Sequence, residues 1–148
     1  MNSVEKLPIV FAAQSKRRFY CRDAVCEFVF AKGATPLNPY RAFDHFLGDR
    51  APRELVRQAT NNLVRIADET WVFGEVSDGV LFEILYAQKL EMPVRYFTID
   101  DRAKEIRKSS AKELEFEPEV LEHFGSREMI IEKILGVRTR RTTTIRRP

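Results

Sequence analysis

Apolar positions along the chain alternate between short unbroken runs and helical stripes. Residues 7–13 (LPIVFAA) form a continuous apolar run, the pattern of a strand covered on both faces. Residues 16–32 then place Phe19, Val25, Phe28 and Val29 on roughly one helical face, and Gly33 supplies a stop. A short second strand is expected at 34–37, followed by a polar and aromatic loop over 38–51. Pro52 opens a helix whose apolar stripe is Leu55, Val56, Ala59, Leu63, Ile66 and Ala67. Residues 71–76 (WVFGEV) read as the third strand. Ser77 or Asp78 then caps a helix that turns Val80, Leu81, Ile84 and Leu85 inward. Pro93 ends that helix, and residues 94–99 (VRYFTI) give a fourth strand. Beyond Asp100 the pattern predicts a charge-rich helix over 101–115 and two short helices over 117–124 and 126–135, punctuated by Pro118, Gly125 and Gly136.

This β-α-β-α-β-α-β order predicts an α/β fold: a doubly wound, flavodoxin- or Rossmann-like parallel sheet with flanking helices and a C-terminal helical extension. One domain is expected over 1–136, with a basic, flexible tail at 137–148. Met129, Ile130, Ile131, Ile134 and Leu135 are too apolar for a free surface helix. They either cover the sheet of their own chain or make the subunit contact of a homodimer.

Composition narrows the class. Among 148 residues, 44% are hydrophobic and 32% charged, which excludes a mostly disordered chain and fits a globular one. No apolar run approaches the ~20 residues of a membrane helix, and the N-terminus lacks the long apolar core of a signal peptide. The net charge of +3 hides an asymmetry. Arg138, Arg140, Arg141, Arg146 and Arg147 follow Gly136 with no acid among them, and the remainder is net −2. The tail is either a solvated end or an arm that contacts phosphates or nucleic acid. Cys21 and Cys26 lie about 500° of helix rotation apart, so they do not pair with each other. Their spacing is not CxxC and His45 and His123 are distant, so no metal and no cofactor are implied. Unpaired thiols point to a reducing, cytoplasmic setting.

In a doubly wound sheet, ligands bind beyond the carboxyl ends of the strands. Those ends hold Ala13, Gln14, Ser15, Arg17 and Arg18, then Asn38 and Tyr40, then Ser77, Asp78 and Gly79, and finally Asp100. Ser15, Arg17 and Arg18 open a helix, where free N–H groups favour an anion; the alternative is a solvated helix start. There is no GxGxxG and no GxxxxGK[ST], which disfavours a dinucleotide fold or a P-loop kinase. Glu83 lies in the first turns of the helix after the third strand, between apolar neighbours. It is either a nucleophile or base of the pocket, or simply a partner of the helix dipole.

The run IADETWVFGEVSDGVLFEILYAQKLEMPV resembles the nucleoside 2-deoxyribosyltransferase superfamily and its nucleotide N-glycosidase relatives. Their pattern is an Asp before a strand, then D-x-G-T-x-x-E-x-G-x-A, then a K-P-V strand start. Asp68, Gly79, Glu83, Ala87 and Pro93-Val94 match it, and the opening IVFAAQSKRRFYCRDAVCEFVFAKGATPLNP resembles the family's first strand and ligand loop. Ser77 stands where the family has its Asp, Val80 where it has Thr, and Leu85 where it has a second Gly. The likeness spans about residues 7–99. It implies cleavage of the N-glycosidic bond of a nucleoside or its 5′-monophosphate, with Glu83 as nucleophile and Asp78 as the nearest acid. Gln14, Ser15 and Arg17 would hold sugar or phosphate, and Ala13, Asn38, Ser77 and Gly79 would shape the pocket. It also implies at least a dimer. Tyr40, Phe43 and Phe46 either close over a base or anchor their loop. The rival readings are a non-catalytic nucleotide sensor on the same scaffold, or an adaptor that contacts nucleic acid through the tail.

Overall fold

The computed structural model describes residues 5–43 and 50–146, the side chains of 137–146 excepted. Five strands form one sheet in the order β2-β1-β3-β4-β5. They are β1 (Ile9–Gln14), β2 (Thr35–Leu37), β3 (Glu69–Phe73), β4 (Val94–Ile99) and β5 (Ile106–Ser109). The first four run parallel, and β5 pairs antiparallel with β4, Ile106 opposite Ile99 and Ser109 opposite Tyr96. This is the expected α/β sheet with helices on both faces.

Two cores explain the unbroken apolar runs. On one face, Val10, Ala12, Trp71, Phe73, Phe97 and Ile99 meet Cys21, Val25 and Val29 of the segment leading into and along α1 (Arg22–Ala31). Phe28 of α1 stands edge-on to Trp71, Phe73 and Phe97. On the other face, Phe11, Ala13, Val72 and Tyr96 meet α3 (Arg53–Ile66), α4 (Asp78–Lys89), α5 (Pro118–Phe124) and α6 (Arg127–Arg146). Each fully buried Phe, Leu or Ile here contributes about 1.5–3 kcal/mol.

Several elements differ from the sequence expectation. The predicted helix over 16–32 is divided into a 3-10 turn, Lys16–Cys21, and α1. The chain kinks at Arg18 inside that turn, where the Gln14 side-chain amide donates to the Arg18 carbonyl. The loop after β2 opens as a short helix, α2 (Pro39–Ala42), with Asn38 as its cap. In α3 the buried side is Leu63, Val64 and Ala67, while Leu55 and Ile66 are 58% and 61% exposed. The expected stripe thus holds at Leu63 and Ala67 and fails at Leu55 and Ile66.

The charge-rich helix over 101–115 does not form. Asp100 Oδ1 accepts from the backbone N–H groups of Lys104 and Glu105 at 2.7 and 2.8 Å, and Ala103 adopts φ +59°. This turn sends the chain back along β4 as an edge strand whose Arg107 and Lys108 face solvent, a composition suited to an edge. A 3-10 turn, Ala111–Glu113, follows.

The apolar helix near the end covers its own sheet. Ile130 and Ile134 are each 2% exposed within the second core, and Ile131 packs beside them. The residues that suggested a subunit contact are therefore largely used within the chain; Met129 and Leu135 stay exposed. Gly136 does not stop α6, which runs on to Arg146. Asp44, His45, Phe46 and the tail side chains lie outside the described residues.

Candidate functional site

At the carboxyl edge of the sheet, β1 ends in a buried polar pair. Asn38 Nδ2 donates to Gln14 Oε1 at 2.8 Å, and Asn38 Oδ1 accepts from the Tyr40 backbone N–H at 2.9 Å. Gln14 in turn holds the Arg18 carbonyl. Gln14 and Asn38, expected to touch substrate, thus spend most of their hydrogen-bonding capacity fixing the 3-10 turn and the start of α2. What they position is Tyr40, which also stands edge-on to Phe19 at 5.4 Å. Ala13 points into the core at 1% exposure, so only its backbone is at the edge.

The loop expected to hold an anion is occupied from within. Ser15 accepts from the Arg17 backbone N–H and donates its hydroxyl to Glu117 Oε2. Arg17 reaches Glu119 at 2.9 Å and stands 3.8 Å from Glu117. Arg18 turns away altogether. Its guanidinium, 8% exposed, forks onto both oxygens of Glu75 at 3.0 Å and also donates to the Asp100 carbonyl and the Tyr20 hydroxyl. Gly74, at φ +81°, makes the turn that presents Glu75; a Cβ there would stand 3.1 Å from Ile99. The Arg18 guanidinium beside Glu75 holds that carboxyl below the usual range.

The α4 start lies between these groups. Ser77 is its N-cap, accepting from Val80 N–H at 3.3 Å. Asp78 Oδ2 lies 2.9 Å from His123 Nδ1 on α5, and its other oxygen is buried with no hydrogen-bond partner among the described residues. Gly79 is exposed, and a Cβ added there would meet nothing nearer than Ser77 Oγ at 4.0 Å. Nothing in the fold therefore requires glycine at that position.

Glu83 follows Gly79 by one turn on the same helical face. It makes no hydrogen bond or ion pair among the described residues, and burial pushes its carboxyl up to about 8. Burial of the ring raises the Tyr40 phenol well above the ordinary value, and the charges of Glu83 and Glu117 add to that rise. Glu83, Tyr40, Glu117 and Ser15 are therefore brought to one place. Asp78, by contrast, is paired sideways to α5.

Sequence reasoning missed Glu117 and His123. Glu117 precedes Pro118 in E-F-E-P-E, a residue barred from helix by the proline and set at a helix start; nothing local announces that it returns to β1. Shallow concavities lie elsewhere. One of about 500 Å³ runs between Phe28 of α1 and residues 103–107. Among the described residues, no group of three or more His, Cys, Asp or Glu side chains could hold a metal ion, and no helix is long and apolar enough to cross a membrane.

A profile of the family described as "Domain of unknown function (DUF7768)" matches residues 10–97. No curated protein matches the sequence. Among solved structures the chain is similar to a 2-desoxiribosyltransferase from Leishmania mexicana, at 17% identity and a TM-score of 0.49, over 80% of this chain and 87% of that one.

Proposed function

The chain belongs to that family, whose description assigns no activity, and we propose that its carboxyl-edge site binds a nucleoside or nucleotide and cleaves the N-glycosidic bond. The observation that carries this reading is Glu83: a part-buried carboxyl with no ion pair among the described residues, pushed up to about 8, one turn beyond an exposed glycine. The sequence likeness of residues 68–94 to the deoxyribosyltransferase pattern supports the same role.

A carboxylate in such a place is poorly stabilised when the site is empty. The anomeric carbon of a nucleoside gains oxocarbenium character as its base departs, and that positive charge is what Glu83 lacks. The interaction is therefore stronger in the transition state than in the ground state, which is the condition for rate enhancement. In the step, a Glu83 oxygen bonds to the anomeric carbon and the C–N bond breaks, its electron pair passing to the base nitrogen. That nitrogen takes a proton, for which the Asp78–His123 pair is the nearest donor on α4 and α5. Water then attacks the glycosyl ester, gives free sugar, and returns Glu83 as a carboxylate. Tyr40, kept protonated by burial and by the charges of Glu83 and Glu117, is a further hydrogen-bond donor for this site. An exposed Gly79 at the helix start leaves room for a ligand to approach the backbone. Free Cys21 and Cys26 fit a reducing, cytoplasmic setting.

A screen for base release over nucleosides and their 5′-monophosphates tests the reading. The wild-type chain is expected to release base from at least one of them, and Glu83→Gln to release none while keeping its circular dichroism. Saturable binding with no release would identify a sensor on the same scaffold instead.

A further inference from the structure

Glu117 is fixed at the site by backbone as well as side chain. The segment 115–117 runs parallel beside Val76: Val76 N–H donates to the Glu115 carbonyl and Glu117 N–H to the Val76 carbonyl, each at 2.9 Å. Pro118 holds Glu117 extended, at φ −68° and ψ 152°. Its carboxylate does not cap its own helix. It turns back to accept the Ser15 hydroxyl, with Arg17 at 3.8 Å, and its side chain is 10% exposed. The groups in contact with it are Ser15 and Arg17 from the β1 side, and its charge, like that of Glu83, is felt at Tyr40 on α2.

We infer that Glu117 is the specificity residue of this site, accepting a sugar hydroxyl and excluding a 5′-phosphate, so that the substrate class is the nucleoside rather than the nucleotide. The inference rests on the reading given under Proposed function and deepens it. A carboxylate is an acceptor only, so a hydroxyl satisfies it while a phosphate dianion placed against it is repelled. The two arginines of this loop are already paired. Arg17 pairs with Glu119 and Glu117, and Arg18 is clamped on Glu75. The anion of this loop is the chain's own carboxylate.

The test measures KM for base release and, by calorimetry, Kd, for a nucleoside and its 5′-monophosphate on the wild-type chain and on Glu117→Gln. Wild type is expected to favour the nucleoside by about tenfold or more. Glu117→Gln should narrow that ratio at least about tenfold by moving the two constants in opposite directions, the nucleoside weaker and the monophosphate tighter. A merely structural role would move both the same way, and that result overturns the inference. If no base is released from anything, the glycosidase reading fails, yet the Kd ratio still decides the role of Glu117. Equal or tighter binding of the monophosphate by wild type overturns it, as does binding of neither ligand. Should Glu117→Gln not fold, the wild-type ratio alone decides between the two outcomes.

Discussion

Two glutamates eight residues apart stand at the same edge of the sheet in opposite conditions. Glu75 ends the turn after β3 and receives a two-pronged guanidinium from Arg18, which holds its carboxyl below the ordinary range. Glu83 sits on α4 with no ion pair among the described residues, and burial pushes it up to about 8. The first is a clasp between β3, the 3-10 turn and the carbonyl of Asp100. The second is a part-buried group whose charge has no partner among the described residues. A buried cation met by a carboxylate contributes to the fold, whereas a part-buried acid without a partner costs stability.

The largest test of that contrast is Glu83→Gln. Base release should fall on the order of 10³-fold or more, as expected for loss of a covalent nucleophile. The pH dependence should separate roles as well. A nucleophile must be ionised, so kcat/KM of the wild-type chain should rise with pH through about 8. A rate that instead falls through that range would make Glu83 a proton donor. Stability moves the other way. Between the unfolded carboxyl range near ~4.3 and about 8, the folded chain holds a proton that the unfolded chain has lost. Fewer protons bound in the unfolded state means stability falls as pH rises across that window. Melting temperatures of wild type and Glu83→Gln should therefore diverge from about pH 5 to about pH 8.5, the variant becoming relatively more stable. Parallel curves would remove the unpaired charge from the account.

Breaking the clasp is the next effect in size, and it should appear in stability. Arg18→Ala removes four hydrogen bonds from an 8%-exposed side chain together with its packing. The expected loss is about 3 kcal/mol in denaturant unfolding, the low end for a buried pair because Glu75 is 43% exposed. Glu75→Ala leaves the guanidinium in place without its carboxylate and should cost about 2 kcal/mol. A double variant no worse than Arg18→Ala would show that the pair acts as a unit. Losses below about 0.5 kcal/mol for both single variants would reduce the clasp to a surface ion pair.

The contrast also shows what the sequence discloses. The four parallel strands were legible from their apolar content between turn signals; β4 matched residue for residue, while β3, expected at 71–76, lies at 69–73 because Gly74 turns the chain. The place of Glu83 on α4 was legible because it follows a strand, a cap and a glycine at fixed spacing. Its environment was not, since that depends on Tyr40 and Glu117, which arrive from residues 43 positions before and 34 after. The sequence placed Arg18 at a helix start and so suggested a free cation; only the β3 turn, supplied by Gly74, reveals the acid that claims it. Strand β5 was unreadable because its residues favour helix and are overruled by the Asp100 turn and by pairing with β4.

The smallest effect expected has the opposite sign to the others. Gly79 lies in the first turn of α4 with ordinary helical backbone, and a Cβ there meets nothing nearer than 4.0 Å. Alanine at an unstrained helical position limits the unfolded chain and favours the helix, by up to about 1 kcal/mol. At a first-turn site about 0.5 kcal/mol is the reasonable expectation for Gly79→Ala, a rise in melting temperature of a few degrees at most for a chain of this size. If Gly79 is glycine only because a ligand approaches its backbone, the same methyl group should raise KM or Kd for the nucleoside while leaving the fold more stable. A gain in stability with unchanged binding would move the ligand away from the start of α4. A loss of stability would show that Gly79 serves the fold, and the approach of a ligand at the start of α4 would lose its main support.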